Sequence, residues 1–227
     1  TQAASLQYCG TGLTMIKSLL KIICLLGLIV AGSIFADGDA AAAKAKTLMC
    51  AGCHGADGDS LVSAFPKIAG LGEKYITQQL RQIKSGERVI MEMMGILDMS
   101  SDQDLQDMAA YYNSQKIKIS GAKDIELVGM TDPKMTLRYG EKIYRGGNLS
   151  TGVAACTGCH SPSGNGNDPA GYPRLGGQYA DYIEKQLLAY RRGERASGAN
   201  ALIMQGVAAN LSDKEIKAVA NYISGLN

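Results

Sequence analysis

Histidine is almost missing from this chain: among 227 residues there are two, at positions 54 and 160. A centre built on several imidazoles is therefore excluded, whatever the fold. Tryptophan is absent and phenylalanine occurs twice, so small domains made from this sequence are short of large side chains for their cores. Uninterrupted apolar sequence is limited as well. Its longest stretch, 22–36, falls short of the ~20 residues that cross a bilayer as a helix. Strand signals are weak throughout, which leaves an all-α architecture as the natural reading.

Both histidines close the same pentapeptide, Cys50-Ala51-Gly52-Cys53-His54 and Cys156-Thr157-Gly158-Cys159-His160. Two thiols three positions apart can add to the two vinyl groups on one edge of a porphyrin, and the adjacent imidazole then reaches the iron. Each copy is expected to hold one covalently bound c-type haem. Cys50 and Cys53, like Cys156 and Cys159, would attach the cofactor, and His54 and His160 would each supply one axial ligand. Zinc is the rival for the four cysteines. Paired zinc knuckles are usually about 15–20 residues apart, whereas roughly a hundred intervene here. A porphyrin would also provide the apolar mass that the aromatic side chains do not.

The repeat extends beyond the pentapeptides. Phe65-Pro66-Lys67 answers to Tyr172-Pro173-Arg174, Tyr75-Ile76 to Tyr182-Ile183, and Gly86-Glu87-Arg88 to Gly193-Glu194-Arg195, at nearly equal distances. Ile76, Leu80 and Ile83 share one helical face, as do Ile183, Leu187 and Tyr190, with Gly86 or Gly193 as the stop. Each half then ends in an amphipathic helix. Leu105, Met108, Ala109 and Tyr112 repeat the spacing of Ile216, Val219, Ala220 and Ile223. Ser212 to Glu215 reads as a capping box, and Ser101 to Asp104 as a weaker one with a shorter acid.

This periodicity divides the chain into an upstream segment (1–36), two domains (37–117 and 135–227) and a connector (118–134). From Met15 a basic start, an apolar stretch and a polar exit make the three regions of a secretory signal. Ala36 would be the last residue before cleavage, and an uncleaved N-terminal anchor is the alternative. Residues 1–14 look like sequence upstream of the true start. The first domain is slightly acidic, with nine basic and eleven acidic side chains over 37–118, and the second slightly basic, with ten and seven over 135–227.

With both imidazoles used, the opposite face of each iron is left to methionine, to something weaker or to nothing, and there are ten methionines. Met204 is the only one between His160 and the C-terminus. Carried through the repeat, its position gives Met93, which has Met91, Met94 and Met99 as near neighbours. Histidine and thioether together favour reduced iron and leave no room for substrate. The other N–H of each imidazole needs a fixed acceptor, for which the carbonyls of Pro66 and Pro173 are the candidates.

From about Ala40 to the C-terminus the sequence resembles the dihaem cytochrome c4 group of bacterial class I cytochromes c. The resemblance rests on both pentapeptides, the two proline loops, Tyr144-Arg145-Gly146-Gly147 and Met204-Gln205-Gly206-Val207-Ala208-Ala209. It implies two tandem cytochrome c domains with haem propionate edges facing across their interface, and iron ligands His54, Met93, His160 and Met204. It also implies a periplasmic electron carrier, soluble or loosely membrane-associated, that is no enzyme. Its redox partners would be a cytochrome bc complex as donor and a cbb-type haem-copper terminal oxidase as acceptor; nucleic acid is not an expected partner. One departure is visible: fewer residues separate Gly86 from Met93 than Gly193 from Met204. The alternative is a dihaem subunit of a periplasmic dehydrogenase.

Overall fold

The structure, a computed structural model, describes residues 38–227. The apolar stretch, Cys9, Cys24 and the expected cleavage point at Ala36 lie outside the described residues. Among the described residues the regular elements are helical, strand pairing is confined to three isolated bridges, and no helix is long and apolar enough to cross a membrane.

The first half contains α1 (Ala40–Ala43), α2 (Leu48–His54), α3 (Glu73–Lys84) and α4 (Asp102–Asn113), with a 3-10 turn at Met91–Met93 between the last two. The second half contains α5 (Pro133–Gly146), α6 (Thr157–His160), α7 (Ala180–Arg191), α8 (Ala199–Ala209) and α9 (Asp213–Gly225). Helices α3 and α7 stop where the sequence places a glycine. Gly86 and Gly193 have φ of 78° and 73°, a conformation that costs a side chain, and the residues just before them, Ser85 and Arg192, are the C-caps of the two helices.

Both terminal helices open with a complete capping box. Ser101 and Ser212 accept from the backbone N–H of Asp104 and Glu215, and each acid accepts in return from the serine N–H. The shorter aspartate closes its box as well as the glutamate does, over 2.7 Å against 2.8 Å. The apolar faces turn inward as the spacing requires. Leu105, Met108, Ala109 and Tyr112 are buried on α4, and Ile216, Val219, Ala220 and Ile223 on α9.

Each half has its own core. Around α9 gather Ile143, Tyr144, Val153, Ile183 and Leu211, while around α4 gather Ala43, Leu71, Ile76 and Leu97. No side chain of one half belongs to the core cluster of the other among these residues. The two halves nonetheless form one compact unit, Gly38–Asn227. Residues 118–134 contribute to that. Ser120 and Gly121 bond the backbone of Gly177 and Ser224, and Asn221 on α9 pairs with both backbone groups of Lys123.

Helices α5 and α9 cross in close contact because α5 carries glycine at the crossing. A Cβ on Gly140 would lie 2.2 Å from the carbonyl oxygen of Ala218, and backbone cannot give way as a flexible side chain can. We expect Gly140→Ala to lower the unfolding free energy by about 1–3 kcal/mol, the usual cost of overpacking. Gly146→Ala, at the end of the same helix with open space around it, should be neutral or stabilising. Denaturant unfolding of the two variants measures the difference.

Candidate haem sites

Two cavities occupy the halves, of about 730 Å³ in the first and 620 Å³ in the second. Both lie within the ~300–1,000 Å³ of pockets that enclose a cofactor. Cys50, Cys53, His54 and Met93 line the first; Cys156, Cys159, His160 and Met204 line the second. Each set that the sequence assigns to one haem is therefore brought together, around one space.

Local structure explains how. Helices α2 and α6 both end on the pentapeptide histidine, and the next residue reverses the chain in the left-handed region, Gly55 at φ 79° and Ser161 at φ 66°. The returning loop carries the proline. Its carbonyl meets the imidazole: Nδ1–H of His54 donates to Pro66 over 2.8 Å, and that of His160 to Pro173 over 2.9 Å. A carbonyl can only accept, so in the neutral ring the proton is on Nδ1 and the lone pair on Nε2, the nitrogen left for a metal. Burial pushes both histidines below the ordinary imidazole pKa, with the proline bond opposing in part. Phe65 and Tyr172, the loop aromatics, stand 6.3 and 6.1 Å from the two imidazoles, centroid to centroid.

Burial also raises the pKa of the Cys50 thiol, and that of Cys156 to about 12. These are apolar surroundings, poor for a free thiolate and suited to a hydrophobic macrocycle joined through sulfur. Deeply buried imidazoles with a fixed tautomer, paired thiols beside them and an apolar wall fit a c-type haem in each cavity.

The methionines differ in setting. Met204 sits half-buried on the full helix α8 and is the only methionine in its cavity. Met93 lies on the 3-10 turn, where it packs on the cluster of Leu97, Leu105 and Met108. Its neighbours Met91, Met94 and Met99 are 71, 64 and 97% exposed, and of these three Met91 lines the first cavity beside Met93. Met49 and Met108 line the first cavity as well as Met91 and Met93, a placement the repeat alone did not suggest. Eleven positions separate Gly193 from Met204 and seven separate Gly86 from Met93. The four missing residues are about one helical turn, and a helix in one half corresponds to a tight turn in the other.

Two sites, each prepared for one covalently attached haem, define a dihaem c-type cytochrome. The Cytochrome c family model matches residues 36–116 and 139–227, one match in each half. Cytochrome c4 of Pseudomonas aeruginosa is 48% identical over 94% of this chain and all of its own length. The crystal structure of reduced recombinant cytochrome c4 from Pseudomonas stutzeri superposes with a TM-score of 0.77 at 47% identity, covering 84% of this chain and all of that one. A more distant relative, the thiosulfate dehydrogenase electron acceptor of Stutzerimonas stutzeri, is 32% identical over 81% of this chain and 82% of its own. The chain belongs to the cytochrome c4 family of dihaem electron-transfer proteins.

The proline loops are anchored by different chemistry. Lys67 is buried and donates to Asp59 over 2.5 Å, with Lys118 3.6 Å from the second carboxylate oxygen. Its counterpart Arg174 bonds the neutral Asn165 instead. We expect Lys67→Met to cost about 3–5 kcal/mol in unfolding free energy, because it leaves the buried Asp59 carboxylate with only the exposed Lys118 as a cationic neighbour. Arg174→Met, which strands no charge, should cost about 1 kcal/mol. Chemical denaturation of the holoprotein checks both, and equal costs would show that the buried pair adds nothing.

Proposed function

We propose that the chain passes single electrons through two six-coordinate haems. They would be attached at Cys50 and Cys53 and at Cys156 and Cys159, with His54 and Met93 on one iron and His160 and Met204 on the other. The supporting observation is that each cavity offers one imidazole already fixed through Nδ1 and one half-buried thioether, with no third histidine anywhere in the sequence. Bound haem supplies an iron that alternates between two oxidation states. The protein's own share is positional. Paired cysteines hold one porphyrin edge, the proline carbonyls orient the histidines, the apolar walls exclude water, and the methionines fill the position a substrate would need.

In this reading the domains are 37–117 and 135–227, joined by 118–134, and residues 1–36 direct export to the periplasm. Electrons would arrive from a cytochrome bc complex and leave to a cbb-type haem-copper oxidase, in a respiratory chain. A second reading, service to a periplasmic dehydrogenase, has support from the relatives named as electron acceptors of thiosulfate dehydrogenase. Both readings need the same two filled haems. They differ in the donor: stopped-flow reduction of the oxidised protein by bc complex, against reduction by a thiosulfate dehydrogenase, decides between them.

Optical spectra and intact mass test the shared part. A mass gain of two haems with the weak red band of methionine on ferric haem is the expected outcome; rapid carbon monoxide binding to the reduced protein would defeat it. Met204→His should lower the midpoint potential of the second haem, since imidazole favours ferric iron more than thioether does. An unchanged redox titration would exclude Met204 as a ligand. Met93→Leu should remove the red band of the first haem, and Met91→Leu and Met94→Leu should leave it.

A further inference from the structure

A polar cluster between the two cavities is unused by the ligand assignments above. Its centre is a pair of arginines at one position of the repeat, Arg88 after α3 and Arg195 after α7. Arg88 Nη1 donates to Gln79 in its own half over 2.5 Å, and Nη2 reaches Tyr182 and Gln186 of the other half at 3.4 and 3.3 Å. Arg195 does the reverse. Its Nη1 donates to its own Gln186 over 2.7 Å, and Nη2 donates to Tyr75 and Gln79 of the first half, both at 2.9 Å. Arg195 also lies over the Tyr190 ring, 4.7 Å from its centroid.

All of these acceptors are neutral. Among the described residues neither guanidinium is within ion-pair distance of an acidic side chain. Two cations held by shared neutral partners repel one another and have lost hydration, an arrangement that protein alone does not favour. A guanidinium is however well suited to a carboxylate, which it can grip with two parallel bonds. Haem brings two carboxylates, its propionates, on the edge away from the vinyl groups that cysteine consumes. The cluster lies where both cofactors can reach it: Tyr75, Gln79, Tyr182, Gln186 and Arg195 line both cavities, and Arg88 lines the first.

We propose that Arg88 and Arg195 form one carboxylate receptor shared by the two haems, in which Arg195 serves both and Arg88 the first. The inference rests on the dihaem assignment. Its consequence is that one cation sets the electrostatic environment of two redox centres, and the crossed glutamines and tyrosines hold that cation in place from both halves. A positive charge near an iron favours the reduced state, which carries one positive charge fewer.

Redox titration tests this. Arg195→Gln should lower both midpoint potentials, Arg88→Gln should lower the first, and Arg138→Gln, an exposed arginine on α5, should move neither. A shift confined to the second haem in Arg195→Gln, or no shift, overturns the proposal. Haem content is read separately from mass: fewer than two haems in the wild-type protein would strike the dihaem assignment, whereas two haems with unmoved potentials strike the receptor alone. If Arg195→Gln does not mature, a crystal structure of the wild-type holoprotein reads the contact itself. Carboxylate oxygens of both haems within about 3.2 Å of Arg195 nitrogens are expected, and carboxylates bound elsewhere refute the proposal.

Discussion

A neutral imidazole can donate from one nitrogen and accept at the other, and in both halves a proline carbonyl has taken the donor. Much of the architecture follows from that bond. The carbonyl must be brought back to a histidine that has just ended a helix, so the chain turns at once, through Gly55 in one half and Ser161 in the other. The loop must then be held, because an imidazole tuned by a loose acceptor would be tuned to no fixed value. Tyr144 helps in the second half by donating to the Ser161 carbonyl over 2.7 Å. The first half fastens its loop to the other half: Gln178 accepts from the Lys67 N–H and donates to the Lys67 carbonyl. Histidine orientation, loop closure and the packing of the halves are thus one construction.

What the sequence made legible was whatever depends on local chemistry. Cys-x-x-Cys-His names its cofactor, helical spacing names the buried faces of α3, α4, α7 and α9, and serine followed by an acid three residues on names two helix starts. The proline acceptors could also be reasoned out, since a buried imidazole has few alternatives. Less legible was whatever depends on two distant segments meeting. Helix α8 and the 3-10 turn are aligned by sequence and differ in shape, because four residues fewer leave no length for the helical turn. That the first cavity also admits Met49 and Met108 comes from the packing of α2 and α4. The Arg–Gln–Tyr cluster was half visible: the recurrence of Gly-Glu-Arg after a Tyr-Ile helix could be read, but not that each arginine would reach across to the other copy.

Reciprocal contacts of that kind are the mark of a twofold interface, where residue i meets residue j and j meets i. Here the two surfaces belong to one chain. Tyr75 meets Arg195 as Tyr182 meets Arg88, which is what two equal domains packed face to face would give. The duplication has since diverged where symmetry was not needed. At the position where Lys67 N–H uses the Gln178 side chain, Arg174 N–H uses the main-chain carbonyl of Leu71. A backbone acceptor survives any substitution, whereas a glutamine does not, so this contact constrains sequence on one side only.

Inequality also arises from charge. The first proline loop sits on a buried lysine–aspartate pair, a dipole with little net charge, while the second sits on an arginine bonded to a neutral amide. Two cofactor cavities lined by the same Cys-x-x-Cys-His residues are therefore placed in different fields. In a protein whose task is to pass electrons, the ligands fix the range of potential and the surroundings divide it. A tandem repeat with identical surroundings would offer two equivalent sites and no direction between them. The departures from symmetry in the proline loops and around Arg195 are where this chain can distinguish one site from the other, and they lie at the seam through which an electron inside the molecule would pass.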